Sequence, residues 1–329
     1  MTRSVGILGI GHYVPDKIIT NFDMEKMVDT SDEWITERTG IKQRHVAAPE
    51  EATSDMSLIA AERALEDAGV SAEEIDLIIL GTASPDYEFP STACLVQARL
   101  GATRAAAFDL AAGCSGFVYS LAVATGMIRS GIYKKVLIIG AETLSRIMNW
   151  QDRNTCVLFG DGAGAAVVGE VEEGYGVLGI DMGSDGNGGK HLYQPGGGSR
   201  HPASPETVAN KDHTIHMNGQ EVFKFAIQIM GKTAKRALED AGMAPEELDM
   251  FFPHQANLRI IKSAAKRLKM PMDKVWVNVD RYANTSAASI PIALCEAQAA
   301  GVLKKGMNII LDGFGAGLTW ASIILKWSK

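Results

Sequence analysis

The sequence predicts an α/β fold built by internal duplication, and three observations lead there. Short apolar, β-rich runs alternate with stretches of helical periodicity, the rhythm of helices packed on sheets. Residues 61–80, AERALEDAGVSAEEIDLIIL, match residues 234–253, AKRALEDAGMAPEELDMFFP, at 11 of 20 positions. Glycine supplies 34 of 329 residues, against a usual level of about 7%, which fits many tight turns and close backbone approaches.

Taken in chain order, Val5–Ile10 reads as a buried strand, Met56–Ala68 as a helix and Ile75–Leu80 as a second strand. Ala105–Leu110 is a third strand and Gly116–Ser130 a helix; Val136–Ile139 and Ala165–Val168 are further strands. Gly183–Gly189 and Gly196–Gly198 read as loops, and His201–His213 as a polar surface excursion. The repeat then begins again. Asp109–Cys114 aligns with Asp280–Thr285, and FGDGAG at Phe159–Gly164 is answered by FGAG at Phe314–Gly317. The chain therefore divides into an N-terminal half, residues 1–175, and a C-terminal half, residues 176–329. Equivalent loops of two such halves are expected to face one another across a pseudo-two-fold axis and form a cleft.

Composition removes several function classes. With 32 Lys and Arg against 39 Asp and Glu, the net charge is 32 − 39 = −7, which argues against nucleic acid as a partner. No apolar run approaches the roughly 18 residues of a membrane span. Four widely spaced cysteines without a C-x-x-C pair fit a reducing cytosol and argue against a structural zinc. Gly6-x-x-Gly9-x-Gly11 lacks the third glycine of a dinucleotide fingerprint, because Val14 stands there, and Gly188-Gly189-Lys190 lacks the rest of a phosphate loop.

Cys114 is the candidate nucleophile. It lies in Ala111-Ala-Gly-Cys-Ser-Gly116, between a strand and a helix, where free N–H groups and the helix dipole favour thiolate. Cys94, Cys156 and Cys295 fit buried apolar positions. A nucleophilic cysteine usually has a histidine partner distant in sequence. His254 follows the second copy of the repeat strand, at the carboxyl end where α/β sheets bind ligands, and its equivalent in the first copy is Gly81. Asn284 lies in the counterpart of the Cys114 loop, either as a helix cap or as an amide donor into the cleft. From Pro253 to Met272 there is no acidic residue but five basic ones. At about 100° per residue, Arg259, Lys262, Lys266 and Lys269 share one arc, with Arg267 beside it; Leu258, Ile261, Ala265 and Leu268 turn toward the core. Lys224 extends the basic patch.

These residues, with Asp29–Ile35, Arg38–Ile41, Phe159–Ala166, His254–Arg259, Asn284–Ser289 and Gly313–Trp320, closely resemble the β-ketoacyl-[acyl-carrier-protein] synthase III family of the thiolase-like superfamily. The third catalytic residue sorts that superfamily: Cys-His-His resembles elongating condensing enzymes, Cys-His-Cys thiolases and Cys-His-Glu hydroxymethylglutaryl-CoA synthases, whereas this chain carries Cys-His-Asn. Ala283 and Ala316 stand where many members have glycine. The resemblance implies a five-layered αβαβα homodimer in the cytoplasm, an acyltransferase that needs no metal or redox cofactor and acts in fatty acid biosynthesis. It implies a decarboxylating Claisen condensation of a short acyl-CoA with malonyl-acyl carrier protein. Cys114 would carry the acyl group, the N–H groups of Cys114 and Ala316 would hold the oxyanion, and His254 and Asn284 would hold the malonyl thioester. Thr30, Trp34, Arg38, Arg153 and Asn257 would bind CoA, the basic helix would dock the carrier protein, and Phe89, before a cis proline bond, would reach the partner's acyl pocket. The alternatives are a related Cys-His-Asn enzyme making a secondary-metabolite starter or transferring an acyl group without decarboxylation, and a catalytically silent scaffold.

Overall fold

The computed structural model describes residues 3–329. In chain order the strands are β1 (Val5–Tyr13), β2 (Ile18–Thr20), β3 (Gln43–His45), β4 (Leu77–Gly81), β5 (Ala106–Leu110), β6 (Val136–Glu142), β7 (Gly162–Glu170), β8 (Gly176–Ser184), β9 (Leu192–Tyr193), β10 (His216–Met217), β11 (Met250–Pro253), β12 (Asn308–Gly315) and β13 (Thr319–Lys326). Two sheets carry the fold. One has the order β1-β7-β6-β4-β5 and the other β8-β13-β12-β11. Within each, the matching pairs share a direction: β4 and β6 are parallel, as are β11 and β12, while β1–β7 and β8–β13 are antiparallel. The second sheet lacks a counterpart of β5. An isolated bridge, Phe251 to Val275, stands in its place, and the segment aligned with Asp109–Cys114 begins instead in a helical turn, Val279–Tyr282.

The identities shared by the two repeat copies serve the same purpose twice. The helices Thr53–Ala68 and Gly219–Ala241 both end at a glycine in the left-handed region, Gly69 and Gly242, each with φ of 64°. Asp67 accepts the Ile10 N–H at 2.8 Å, and Asp240 accepts the Ile180 N–H at 2.9 Å. Glu74 and Glu247 fold back onto the N–H groups of Ser71 and Ala244. Asp76 and Asp249 receive backbone N–H groups from the chain entering β6 and β12. These carboxylates are exposed or half-buried, and each supplies an acceptor to backbone N–H groups where helix and sheet join.

Three apolar clusters define five layers. The helices Thr53–Ala68 and Thr92–Leu100 cover the outer face of the first sheet. Gly219–Ala241 and Leu258–Arg267 cover the outer face of the second. Between the sheets lie Gly116–Arg129 and Ser289–Ala299, in the core that includes Ile79, Phe117, Leu121, Ile138, Phe252, Leu294 and Leu311. The sequence expectations hold with shifted ends. The Met56–Ala68 helix begins at Thr53, and the strand expected from Ile75 begins at Leu77 because a 3-10 turn at Ala72–Glu74 precedes it. Gly183 lies within β8 rather than opening a loop, and the polar excursion contains the short helix Pro205–Ala209. Cys156 and Cys295 are buried as expected, but Cys94 is exposed, its sulfur 3.6 Å from the Ala107 carbonyl of the edge strand β5.

Gly140 of β6 is where sheet and central layer come closest: a Cβ there would meet the Ala287 carbonyl oxygen at 2.2 Å. Gly140→Ala is expected to cost about 1–3 kcal/mol, the range for overpacking a close-packed interior, read as a lowered denaturant midpoint.

Candidate active site

Two turns open the central helices and pack on each other. Gly113–Ser115 leads into Gly116–Arg129, and Ser286–Ala288 leads into Ser289–Ala299. The loops aligned in the sequence repeat therefore do meet. Gly113, with φ of 51°, lets the backbone pass within reach of Ala316, and a Cβ at Gly315 would strike the Cys114 nitrogen at 2.3 Å. β11 ends one residue before His254, whose N–H donates to the Asp312 carbonyl at 2.8 Å.

Cys114, His254 and Asn284 line one cleft of about 660 Å³, together with Trp34, Arg38, Phe159, Asn257 and Phe314. All three reacting side chains are buried. Burial pushes the Cys114 thiol up to about 12, outweighing a hydrogen bond with Ser286 that pulls it down, while the Glu142 charge pushes it further up. The expectation of a thiolate-favouring environment is thus corrected: the dehydrated interior dominates. Burial likewise pushes His254 down to about 3, so the imidazole is neutral near pH 7. Its Nδ1 lies 2.7 Å from Ser289 Oγ, which also accepts the Gln255 N–H. With the Ser289 hydroxyl donating to Nδ1, the ring proton is left to Nε2, which has no partner among the described residues. Phe314 meets the ring edge-on at 5.4 Å.

Asn284 is fixed by backbone on both sides. Its N–H donates to Leu158 O at 2.9 Å, its carbonyl accepts from Gly160 at 3.0 Å, and its Oδ1 accepts the Ser286 N–H at 2.9 Å. Arg44, fully buried, reinforces this: its guanidinium donates to Val157 O at 2.8 Å and to Asn21 Oδ1 at 3.0 Å. In sequence Arg44 resembles any surface cation, and neither it, Ser289 nor Glu142 stands out singly. A β-strand arginine bearing on a loop more than a hundred residues away leaves no local pattern.

The residues expected around CoA divide. Trp34 and Arg38 line the cleft; Thr30 and Arg153 lie beside it. Trp34 already carries Arg38 at 4.6 Å and Arg153 at 5.4 Å from its ring centroid. Arg153 is also anchored on Asp29 through its carbonyl at 2.8 Å. A planar base enters between Trp34 and Arg153 only when Arg153 swings away. Thr30 Oγ1 is buried without a partner among the described residues. Asn257 caps the Leu258–Arg267 helix, and both polar atoms of its side chain are engaged, Nδ2 on Arg38 O and Oδ1 on the Arg259 N–H.

The basic face is smaller than expected. Arg259, Lys262, Lys266 and Arg267 lie on the helix, but the helix ends at Arg267 and Lys269 follows with φ of 54°, off the arc. Lys224 is exposed and forms a surface i,i+3 pair with Glu221 at 2.7 Å. Arg259 lies 5.3 Å over the Phe223 ring. Phe89 is 85% exposed, and the Phe89–Pro90 bond is cis. A separate apolar pocket of about 100 Å³ lies against Cys114, lined by Leu144, Ile147, Phe159 and Ile215.

Ala283, which precedes Asn284, holds φ of 56° and ψ of −155°, a region that belongs to glycine. Ala283→Gly is expected to raise stability by about 1 kcal/mol in chemical denaturation by releasing that strain.

Against known proteins, the profile described as 3-oxoacyl-[acyl-carrier-protein (ACP)] synthase III matches residues 108–186, and its C-terminal counterpart matches residues 238–327. The β-ketoacyl-[acyl-carrier-protein] synthase III of Caldanaerobacter subterraneus subsp. tengcongensis is 62% identical, over 99% of this chain and 98% of the relative. That of Desulfitobacterium hafniense is 60% identical, with the same coverage of each chain. The crystal structure of 3-oxoacyl-[acyl-carrier-protein] synthase III from Aquifex aeolicus VF5 superposes with a TM-score of 0.91 at 49% identity, covering 98% of this chain and 100% of that one. Sequence and fold agree over nearly the whole chain, and the chain belongs to the β-ketoacyl-[acyl-carrier-protein] synthase III family.

Proposed function

We propose that this chain condenses a short acyl-CoA with malonyl-acyl carrier protein, with loss of CO₂, and so makes the first β-ketoacyl-acyl carrier protein of type II fatty acid synthesis. The observation that carries this reading is one cleft in which a buried thiol, an imidazole Nε2 without a described partner and an amide held by the Ser286 N–H converge.

The steps follow from the chemistry of those groups. Cys114 sulfur attacks the acyl thioester, the N–H groups of Cys114 and Ala316 hold the oxyanion, and CoA departs. The malonyl thioester then enters with its oxygen toward His254 Nε2–H and the Asn284 amide. Loss of CO₂ leaves an enolate on that oxygen. Two neutral donors already in position stabilise the charge without reorganising, and the carbanion attacks the acyl-cysteine. Thiol, imidazole, amide and the two substrates account for every step, so the reading includes no metal or redox cofactor. A reduced nucleophilic thiol suits the cytoplasm. The small apolar pocket beside Cys114 supports a short primer. Trp34 and Arg153 would bracket the CoA base, with Thr30, Arg38 and Asn257 around them. A homodimer is supported by β5, an edge strand with Phe108 exposed, and by Tyr87 and Phe89 projecting nearby in sequence. The residues fall into a nucleophile-bearing half, 1–175, and a donor-bearing half, 176–329.

The test separates the half-reactions. Incubation with acetyl-CoA should leave one acetyl group, on Cys114, and none in Cys114→Ala; wild-type yield on another cysteine sinks the assignment. His254→Ala and Asn284→Ala should each lose about 10²–10³ in malonyl decarboxylation, more than in acyl transfer. Equal loss in both steps contradicts the roles given to them.

The carrier protein is acidic and this chain carries −7, so docking must use a local patch. Arg259, Lys262 and Lys266, on the helix that starts beside His254, supply it, with Arg267 at its margin. Arg259→Glu is expected to raise KM for malonyl-acyl carrier protein and leave acyl transfer from acyl-CoA nearly unchanged. The malonyl step should weaken with salt, because exposed charges are screened over about 8–10 Å at 0.10–0.15 M.

A further inference from the structure

One carboxylate outside the cleft gathers the chain that leads into Asn284. Glu296 lies on the central helix Ser289–Ala299, with its side chain 12% exposed. Five hydrogen bonds reach it, all from residues 276–282. Trp276 Nε1 donates at 3.3 Å, Asn278 Nδ2 at 2.7 Å, Tyr282 Oη at 2.9 Å, and the Arg281 guanidinium at 2.7 and 3.1 Å. Neither Glu296 nor any of these four donors lines the cleft.

The gathered segment begins beside His254 and ends at Asn284. At its start stands Gln255, completely buried. Its Nε2 donates to the carbonyls of Pro253 at 2.9 Å and Trp276 at 3.0 Å, and its Oε1 accepts the Asn278 N–H at 3.0 Å. The residues on either side of His254 are therefore tied to the segment. At its end, the Tyr282 and Ala283 N–H groups close a turn on the carbonyls of Asn278 and Val279, at 3.1 and 3.0 Å. The Tyr282 ring stacks on His45, with centroids 5.4 Å apart, and the chain then enters Asn284.

These bonds form a closed circuit. Ser289 opens the helix and lies 2.7 Å from His254 Nδ1. His254 continues into Gln255, Gln255 binds Asn278, Asn278 binds Glu296, and Glu296 returns to the same helix. Seven residues separate Ser289 from Glu296, so they share one helix face, about 10 Å apart along the axis. That face fixes the His254 ring through one residue and the His254 backbone through the other.

We propose that Glu296 is a positioning residue that sets the separation between His254 Nε2–H and the Asn284 amide. The proposal rests on the reading of those two groups as donors to the malonyl thioester. Glu296 touches no substrate and moves no proton; it acts only through the segment it gathers. An enolate oxygen gains from both donors only when they converge on one point, and a displacement of about 1 Å can cost about 10²-fold. The Arg281 pair alone would be a surface feature, since Arg281 is half exposed. The three neutral donors, Trp276, Asn278 and Tyr282, are what bind the carboxylate to the chain between the two reacting groups. Cys114 stands on a different turn, Gly113–Ser115, so acyl transfer does not draw on this circuit.

The test uses the full-length enzyme, with Glu296→Ala and Asn278→Ala beside wild type. Acyl transfer from acetyl-CoA is timed separately from malonyl-acyl carrier protein decarboxylation by enzyme acylated beforehand. Both rates are expressed per Cys114 adduct formed, so that unfolded chain does not count. Glu296→Ala is expected to lower kcat for decarboxylation by about 10–10²-fold, with KM for malonyl-acyl carrier protein and the acyl-transfer rate each within about 3-fold of wild type. Asn278→Ala breaks one bond of the circuit and should show the same split at smaller size. It also keeps the test open if Glu296→Ala fails to fold. On a His254→Ala chain, Glu296→Ala should cost less than on wild type, because one of the donors it places is gone. Equal loss in both half-reactions, an unchanged decarboxylation rate, or a loss that adds in full to that of His254→Ala overturns the proposal. A wild-type enzyme that does not decarboxylate malonyl-acyl carrier protein overturns instead the reading beneath it.

Discussion

The back-to-back contact of the two buried turns, Gly113–Ser115 and Ser286–Ala288, is the constraint on which the site depends. It joins the halves at the level where both central helices begin. The contact is so close that side chains are excluded at Gly140 and Gly315, and Ala283 and Ser286 beside it hold backbone with positive φ. Such strain persists only where surrounding structure over-determines it. Here two sheets and two helices do so, and the groups fixed by the contact are Cys114 and Asn284.

Burial has an electrostatic consequence. A thiol raised to about 12 and an imidazole lowered to about 3 do not form an ion pair before substrate binds. Charge appears only during reaction, on a thioester oxygen, where donors stand in a medium of low polarisability and interact more strongly than in water. A resting charge on His254 would cost desolvation; a neutral Nε2–H, with Ser289 on Nδ1, donates to a forming enolate without that cost.

What can be read in the sequence follows from periodicity and repetition. Identity at 61–80 and 234–253 reveals the duplication, and in the structure each identity has a role. Gly69 and Gly242 end helices, and Asp67 and Asp240 hold the adjoining strands. Cys114, His254 and Asn284 stand out because each lies where a strand or turn meets a helix. The thiol's acidity is misjudged from sequence, because a helix terminus is visible there and desolvation is not. Lys269 looks helical because the periodic pattern outruns the helix, and Lys224 looks free until Glu221, three residues away, is seen to pair with it. Arg44 and Glu142 are invisible, since their partners lie far along the chain and only folding brings them together.

The duplication also explains how one ancestral unit yields an asymmetric site. Strand registers fix the correspondence: Leu77 pairs with Val136 in the first sheet and Met250 with Ile309 in the second, an offset of 173 for both strands. At that offset Gly81 corresponds to His254 and Glu142 to Gly315. Each half therefore has glycine where the other has a buried polar side chain. A Cβ at Gly81 would lie 2.8 Å from the Gly116 carbonyl carbon, and one at Gly315 would strike the Cys114 nitrogen. The nucleophile turn needs the space that a histidine would take at one position and a glutamate at the other. Clearing both positions lets the Cys114 loop enter the interface. The imidazole then remains only in the second half and the carboxyl only in the first, on opposite sides of the same sulfur-bearing turn. Division of labour between the halves thus follows from steric exclusion around a single backbone segment.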